Sequence, residues 1–150
     1  MTYRSTLRVP SALTAAMIAA SCAAGPSDPG APPGSVSGMV AYTGAEPGVL
    51  RVAVFATFPP FGPPVAETAI DEPSFPQPYQ VAGLPPGRYF VLAMIDTSPE
   101  DGDRYHPDVD PGGAFGRHDS PRSVMLDVAR AATGVDVELV APSPSSPWGR

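Results

Sequence analysis

The sequence predicts an all-β protein, a seven-stranded antiparallel β-sandwich that follows a signal peptide and a disordered linker. Three observations predict it. Seven short runs of Val, Ile, Leu, Phe and Tyr recur between residues 36 and 139, separated by turn-forming residues. The 22 Pro and 15 Gly crowd residues 25 to 34, 59 to 64, 73 to 87 and 142 to 149, so they punctuate the apolar runs without filling them. No segment sustains a helical apolar period, and the one mildly helix-like stretch, Val128 to Ala132, gives way at once to Thr133-Gly134.

Residues 1 to 21 read as a signal peptide. Met1 to Arg8 supplies a short basic region with Arg4 and Arg8, Ser11 to Ala20 is weakly apolar, and small residues follow. The apolar stretch is roughly half of the about 20 residues that a membrane-spanning helix needs, so it is an export signal and not a span. The quartet Ala19-Ala20-Ser21-Cys22 resembles the bacterial lipobox, in which a small residue precedes a Cys that takes a diacylglycerol before cleavage on its amino side. That resemblance implies lipid attachment at Cys22 and a membrane partner reached through an N-terminal lipid anchor. The competing reading is an ordinary secretory signal cut near Ser21-Cys22-Ala23, which leaves a soluble secreted or periplasmic protein. The cysteine count favours the lipid, because Cys22 is the only Cys and can form no internal disulfide. Several acyl chains on one residue suffice for stable anchoring. Ala23 is not the Asp that retains some lipoproteins at the inner membrane, which points to the outer membrane of the cell envelope where that rule operates.

Residues 22 to 35 follow as the lipidated Cys and a Pro/Gly-rich tether. The stretch AAGPSDPGAPPGS has no apolar periodicity and too few large side chains to bury, so it is expected to stay disordered and semi-extended. The sandwich is assigned to residues 36 to 141 and a second disordered segment, with Trp148 as an exposed side chain, to residues 142 to 150. Roughly 106 residues is the scale of an immunoglobulin-sized sandwich, which sustains a core without disulfides. The strands are expected at Val36 to Tyr42, Leu50 to Ala56, Val65 to Ile70, Tyr79 to Val81, Tyr89 to Ile95, Ser123 to Val128 and Val135 to Leu139. Between the fourth and fifth, Gly83-Leu84-Pro85-Pro86-Gly87-Arg88-Tyr89 reads as a turn, with two Pro at early turn positions, Gly87 tolerant of positive φ, and Leu84 plugging the end of the core.

That turn, together with the apolar strand ending at Asp96, the acidic loop after it, Gly113-Ala114-Phe115-Gly116 and the closing Gly134-Val135-Asp136-Val137-Glu138-Leu139, resembles the transthyretin-like (prealbumin-like) sandwiches related to carboxypeptidase regulatory domains. Ser37-Gly38-Met39-Val40 is similar to the strand with which those domains begin. The resemblance spans roughly residues 36 to 140 and implies a noncatalytic accessory or binding module.

Charge narrows the partners. The net charge is -6, and loss of Arg4 and Arg8 with the signal peptide leaves the remainder more acidic. There is no Lys, and the Arg residues are dispersed, so no basic patch exists to neutralise phosphates and nucleic acid is not an expected partner.

Three stretches carry candidate chemistry. Ile95 to Asp110, IDTSPEDGDRYHPDVD, concentrates carboxylates, and calcium takes six to eight hard oxygen ligands of this kind. The expected ligands are Asp96, Asp101 and Asp103, joined by Ser98, Asp108 and Asp110; Ca2+ would rigidify the loop, against the plainer reading of a solvated acidic loop. Ser98 stands where related sandwiches carry Asn, and Pro99-Glu100 add a residue before Asp101-Gly102. His106 and His118, with this loop, are the residues that a small exported hydrolase or metal-dependent enzyme would use. No recognisable catalytic or zinc spacing supports that alternative, and adjacent His118-Asp119-Ser120 cannot align as a triad in an extended chain. The catalytic assignment is therefore none. Finally, Phe58-Pro59-Pro60-Phe61-Gly62-Pro63-Pro64 is a stiff loop whose two Phe rings offer a docking surface for a protein or a glycan, unless one of them caps the core.

Overall fold

The computed structural model describes residues 32–98, 100, 104–128 and 130–144. Among them the chain is all-β, with no α-helix. Its strands are β1 (Val36–Ala41), β2 (Val49–Phe55), β3 (Ala66–Ile70), β4 (Gln77–Val81), β5 (Gly87–Asp96), β6 (Gly112–Ala114), β7 (Ser123–Leu126) and β8 (Val137–Glu138). The expected signal peptide, Cys22 and most of the linker lie outside the described residues, as do Asp101, Asp103 and Trp148.

Two sheets share one core. The smaller has the order β4-β1-β8, and the larger has β3-β2-β5 with β6 and β7 both against the far edge of β5. Alternation explains how the larger sheet faces inward. In β2, Leu50, Val52 and Val54 are buried while Arg51, Ala53 and Phe55 are half-buried on the other side. In β5, Tyr89, Val91, Ala93 and Ile95 point the same way as the buried residues of β2 and join Val36, Val40, Tyr79 and Val137 of the smaller sheet in one cluster. Fully burying a Val, Leu or Ile side chain contributes about 1.5–3 kcal/mol, so this cluster is the main stabilising feature of the molecule.

The chain crosses from the smaller sheet to the larger between β4 and β5. There Leu84 is buried in the core, and the Tyr89 hydroxyl donates back to the Pro85 carbonyl at 2.8 Å, pinning the corner. On the smaller sheet the Tyr79 hydroxyl donates to the Val135 carbonyl at 2.5 Å, and burial pushes its pKa well above the usual tyrosine value.

Several expectations need correction. Pairing is not wholly antiparallel, because β8 runs parallel to β1, with Val40 opposite Val137. The chain reaches β8 by a long return from the larger sheet, and such a crossover can deliver a parallel neighbour where a hairpin cannot. An eighth strand, β6, was not among the seven expected. Its sequence, Gly-Gly-Ala, has little intrinsic strand preference, and tertiary contacts impose the conformation. Residues flanking positions 36 and 141 are also hydrogen-bonded to the rest of the fold. The Gly34 carbonyl accepts from Leu84 N at 2.9 Å, the buried Ser35 accepts from Ala132 N at 2.9 Å, and Ser143 N donates to the Pro107 carbonyl at 2.6 Å.

One edge joins the two sheets. Residues 137 to 140 pair with β1 through β8 and also bridge the larger sheet, Val137 to Phe115 and Val140 to Gly112. At the opposite edge no strand ladder links β3 to β4.

Candidate functional site

The outward face of the larger sheet carries a groove of about 550 Å³, within the size range of small-ligand and peptide pockets. Its floor follows from strand register. Arg51 lies opposite Met94, Ala53 opposite Leu92, and Glu67 of β3 lies opposite Ala53 on its other side. Ala53 is the smallest of these, so the floor is lowest in the middle. Pro60, Gly62 and Pro64 of the β2–β3 loop form one wall, and Arg104, Tyr105 and His106 form another.

The two Phe residues of the Pro-rich loop have different fates. Phe58 is half-buried, its ring 5.9 Å from that of Phe90, in a small apolar cluster with Phe55, Leu92, Ala114 and Tyr105. It covers the outer face of the sheet and not the space between the sheets. Phe61 is 92% exposed at the lip of the loop. One ring anchors the loop, and the other is presented to solvent.

The far wall depends on the double glycine of β6. Tyr105 lies so close over Gly112 that any Cβ there would strike its ring, and a Cβ on Gly113 would strike the Glu138 carbonyl oxygen. Gly112 admits the tyrosine from outside, and Gly113 admits the chain of residues 137 to 140.

The acidic loop that supplies Tyr105 is stapled at its base by two buried carboxylates. Asp110 is 1% exposed. Its Oδ1 accepts from Thr97 N at 3.0 Å and Thr97 Oγ1 at 2.8 Å, and its Oδ2 accepts from His106 N at 2.8 Å. Asp96, equally buried, accepts from Arg51 Nε at 3.1 Å and from Ser98 N at 3.2 Å. Each carboxylate holds protein donors on both oxygens, which satisfies a buried charge and fixes the ends of the loop. Ser98 is half-buried and Asp108 exposed. Among the described residues no group of three or more His, Cys, Asp or Glu side chains is arranged to hold a metal ion.

The two histidines line different concavities. His106 is on the groove wall, whereas His118 lies in the excursion between β6 and β7, in a shallow hollow shared with Arg117, Asp119 and Glu138. Burial lowers the His118 pKa below its ordinary value, opposed in part by the charge of Asp119 and a backbone hydrogen bond with Gly112. In the same excursion the Arg122 guanidinium lies 5.2 Å from the centre of the Phe115 ring.

Of the sequence-selected residues, the structure thus brings His106 to the groove, leaves Phe61 exposed on the loop between the lining residues Pro60 and Gly62, packs Phe58 against Phe90, and uses Asp96 and Asp110 as loop anchors. Sequence reasoning missed Arg51, Ala53, Met94 and Tyr105. A signal was present for the first two: the outward positions of Val49–Phe55 carry Val, Arg, Ala and Phe, not the uniformly polar set of a solvated face. Comparison with protein-family models, with curated proteins and with solved structures finds no match to this chain.

Proposed function

We propose that this chain is an exported lipoprotein whose β domain, a sandwich of the transthyretin-like kind, serves as a noncatalytic binding module in the cell envelope. The observation that carries the binding role is the groove on the outward face of the larger sheet, together with Phe61, almost fully exposed on the loop that supplies the lining residues Pro60 and Gly62. An aromatic ring held in water by a stiff Pro-rich loop costs solvation and contributes nothing to the core, so its value is in contact with something else. The apolar floor with Arg51, Glu67, Arg104 and His106 around it suits a ligand with both ring and polar groups, a protein segment or a glycan. The anchor rests on the sequence, through the lipobox-like Ala19-Ala20-Ser21-Cys22. Calcium enters the proposal as a stabiliser of the 96–110 loop, with Asp96, Asp101 and Asp103 as its first ligands; a calorimetric titration without heat removes it.

Two measurements test the proposal. Intact mass and membrane partition are compared for wild type and Cys22→Ser in the native host: acyl mass on the wild type and release of the variant support the anchor, and an unmodified, soluble wild type overturns it. For the binding role, a photo-crosslinking residue is placed at position 61 and, as a control, at exposed Gln80 on the smaller sheet. Adducts confined to position 61 support the groove as the binding face. Equal labelling at both positions, or none at either, overturns it.

A further inference from the structure

We propose that the free edge of β3 is a second binding surface, which takes an extended basic segment of another protein as an added strand. Within the sheet β3 pairs only with β2, Leu50 lying opposite Ile70 and Val54 opposite Ala66. Half of the N–H and C=O groups of an edge strand point away from its one neighbour. Among the described residues no backbone hydrogen bond reaches residues 66 to 70 from that other side. Such a row of backbone groups is a template for one more strand, and main-chain bonding supplies the affinity when an extended peptide adds to it.

Two other edges of the fold are closed, and this one is not. β4, at the end of the smaller sheet, carries Pro78, whose nitrogen cannot donate to a new neighbour. β6 is covered by the chain at Val140, which both donates to and accepts from the backbone of Gly112. The residues of β3, Ala66-Glu67-Thr68-Ala69-Ile70, include no Pro and no Lys, and every one of them has an N–H to offer.

The side chains of β3 specify the partner. On its inner face Ala66 and Ile70 pack against the core yet stay half-buried, with half-buried Thr68 between them. An added strand completes their burial when its own inward residues are apolar. On the outer face Glu67 and Ala69 are exposed, and a residue directly across from Glu67 would have its Cβ about 5 Å away. Asp71 and Glu72 follow the strand, both exposed, and the sequence holds no Lys or Arg between Arg51 and Arg88. Arg51, opposite Ala69, is engaged by Asp96. The edge therefore presents negative charge, in a chain whose net charge is -6, so it attracts a basic strand and repels an acidic one. The strand that fits alternates apolar residues with Lys or Arg, its basic side chains on the side of Glu67.

Glu67 also lines the groove, so the test follows backbone amides, which tell the two surfaces apart. The isotope-labelled full chain is titrated with the peptide acetyl-TVKVRVT-amide. Expected are binding, slowed amide exchange within residues 66 to 70, and unmoved amides at Leu92 and Met94 on the groove floor. Two forms of the peptide, each N-methylated at the alternate nitrogens of one edge, should differ: one loses binding and the other keeps it, because an added strand bonds through a single edge. Glu67→Lys should weaken the basic peptide several-fold and admit acetyl-TVEVEVT-amide in its place. No binding at millimolar peptide, or equal binding of the two N-methylated forms, overturns the proposal. Shifts centred on Ala53, Leu92 and Met94 overturn it too and assign the peptide to the groove. Protection of residues 66 to 70 that exists without peptide and fades on dilution also overturns it, since a second copy of the chain then occupies the edge.

Discussion

Asp110 shows how one side chain can set the shape of a site that it does not line. Its carboxylate takes three hydrogen bonds, two from Thr97 and one from His106 N, and so ties the beginning of the acidic loop to its end. Asp110→Ala leaves those donors without acceptors in a buried place, and a loss of about 3 kcal/mol is expected, read as a lower urea midpoint with little change in slope. An unchanged midpoint would show that the loop ends are held by something else. His118 gives a pH dependence of predictable sign. Burial depresses its pKa in the folded protein, so the folded state keeps the imidazole neutral where the unfolded chain protonates it. The stability that follows is complete above the unfolded value near 6.5 and declines as the pH falls below it, levelling off once the folded group also protonates. Urea midpoints of wild type and His118→Asn at pH 7.5 and 5.5 should therefore differ in slope with pH, the wild type losing more on acidification.

The elements were legible in the sequence to unequal degrees, and β6 shows why. Alternating runs such as Val49–Phe55 announce a strand because one face must be buried, and the Pro-Pro-Gly turn before Tyr89 announces a corner because its φ angles are nearly fixed. Gly112-Gly113 announces neither. Its extended form exists because Tyr105 presses from one side and residues 137 to 140, distant in sequence, from the other. Gly113→Ala should consequently be costly although alanine is the smallest possible addition. A loss of about 2 kcal/mol is expected from the clash with the Glu138 carbonyl, measurable by thermal denaturation. A Tm equal to the wild type would mean that residues 137 to 140 can stand off from β6. The groove was unreadable for a similar reason. Its parts come from β2, β3, β5, the Pro-rich loop and the acidic loop, and only His106 among them stood out by residue type alone. The acidic residues that stood out most, Asp96 and Asp110, are recruited to internal hydrogen bonds.

At the scale of the whole molecule, a sheet pair closed at one edge by a single strand behaves differently from one closed by hairpins. β1 has β4 on one side, reached within the first half of the domain, but on the other side it waits for β8: Met39 N is bonded to the carboxylate of Asp136, 97 residues along. Contacts so far apart in sequence are slow to form, since most of the chain must be ordered before they repay the closure. The last of the eight described strands to be made is thus the first strand's missing neighbour. A chain ending at Thr133 should remain protease-sensitive, whereas one ending at Pro144 should resist. Early resistance in the shorter chain would show that β1 to β7 suffice. If the closing strand is required, timing is built into the topology: a polypeptide emerging amino end first stays pliable, and so can be threaded through a narrow opening, until residues 137 to 140 are free to pair.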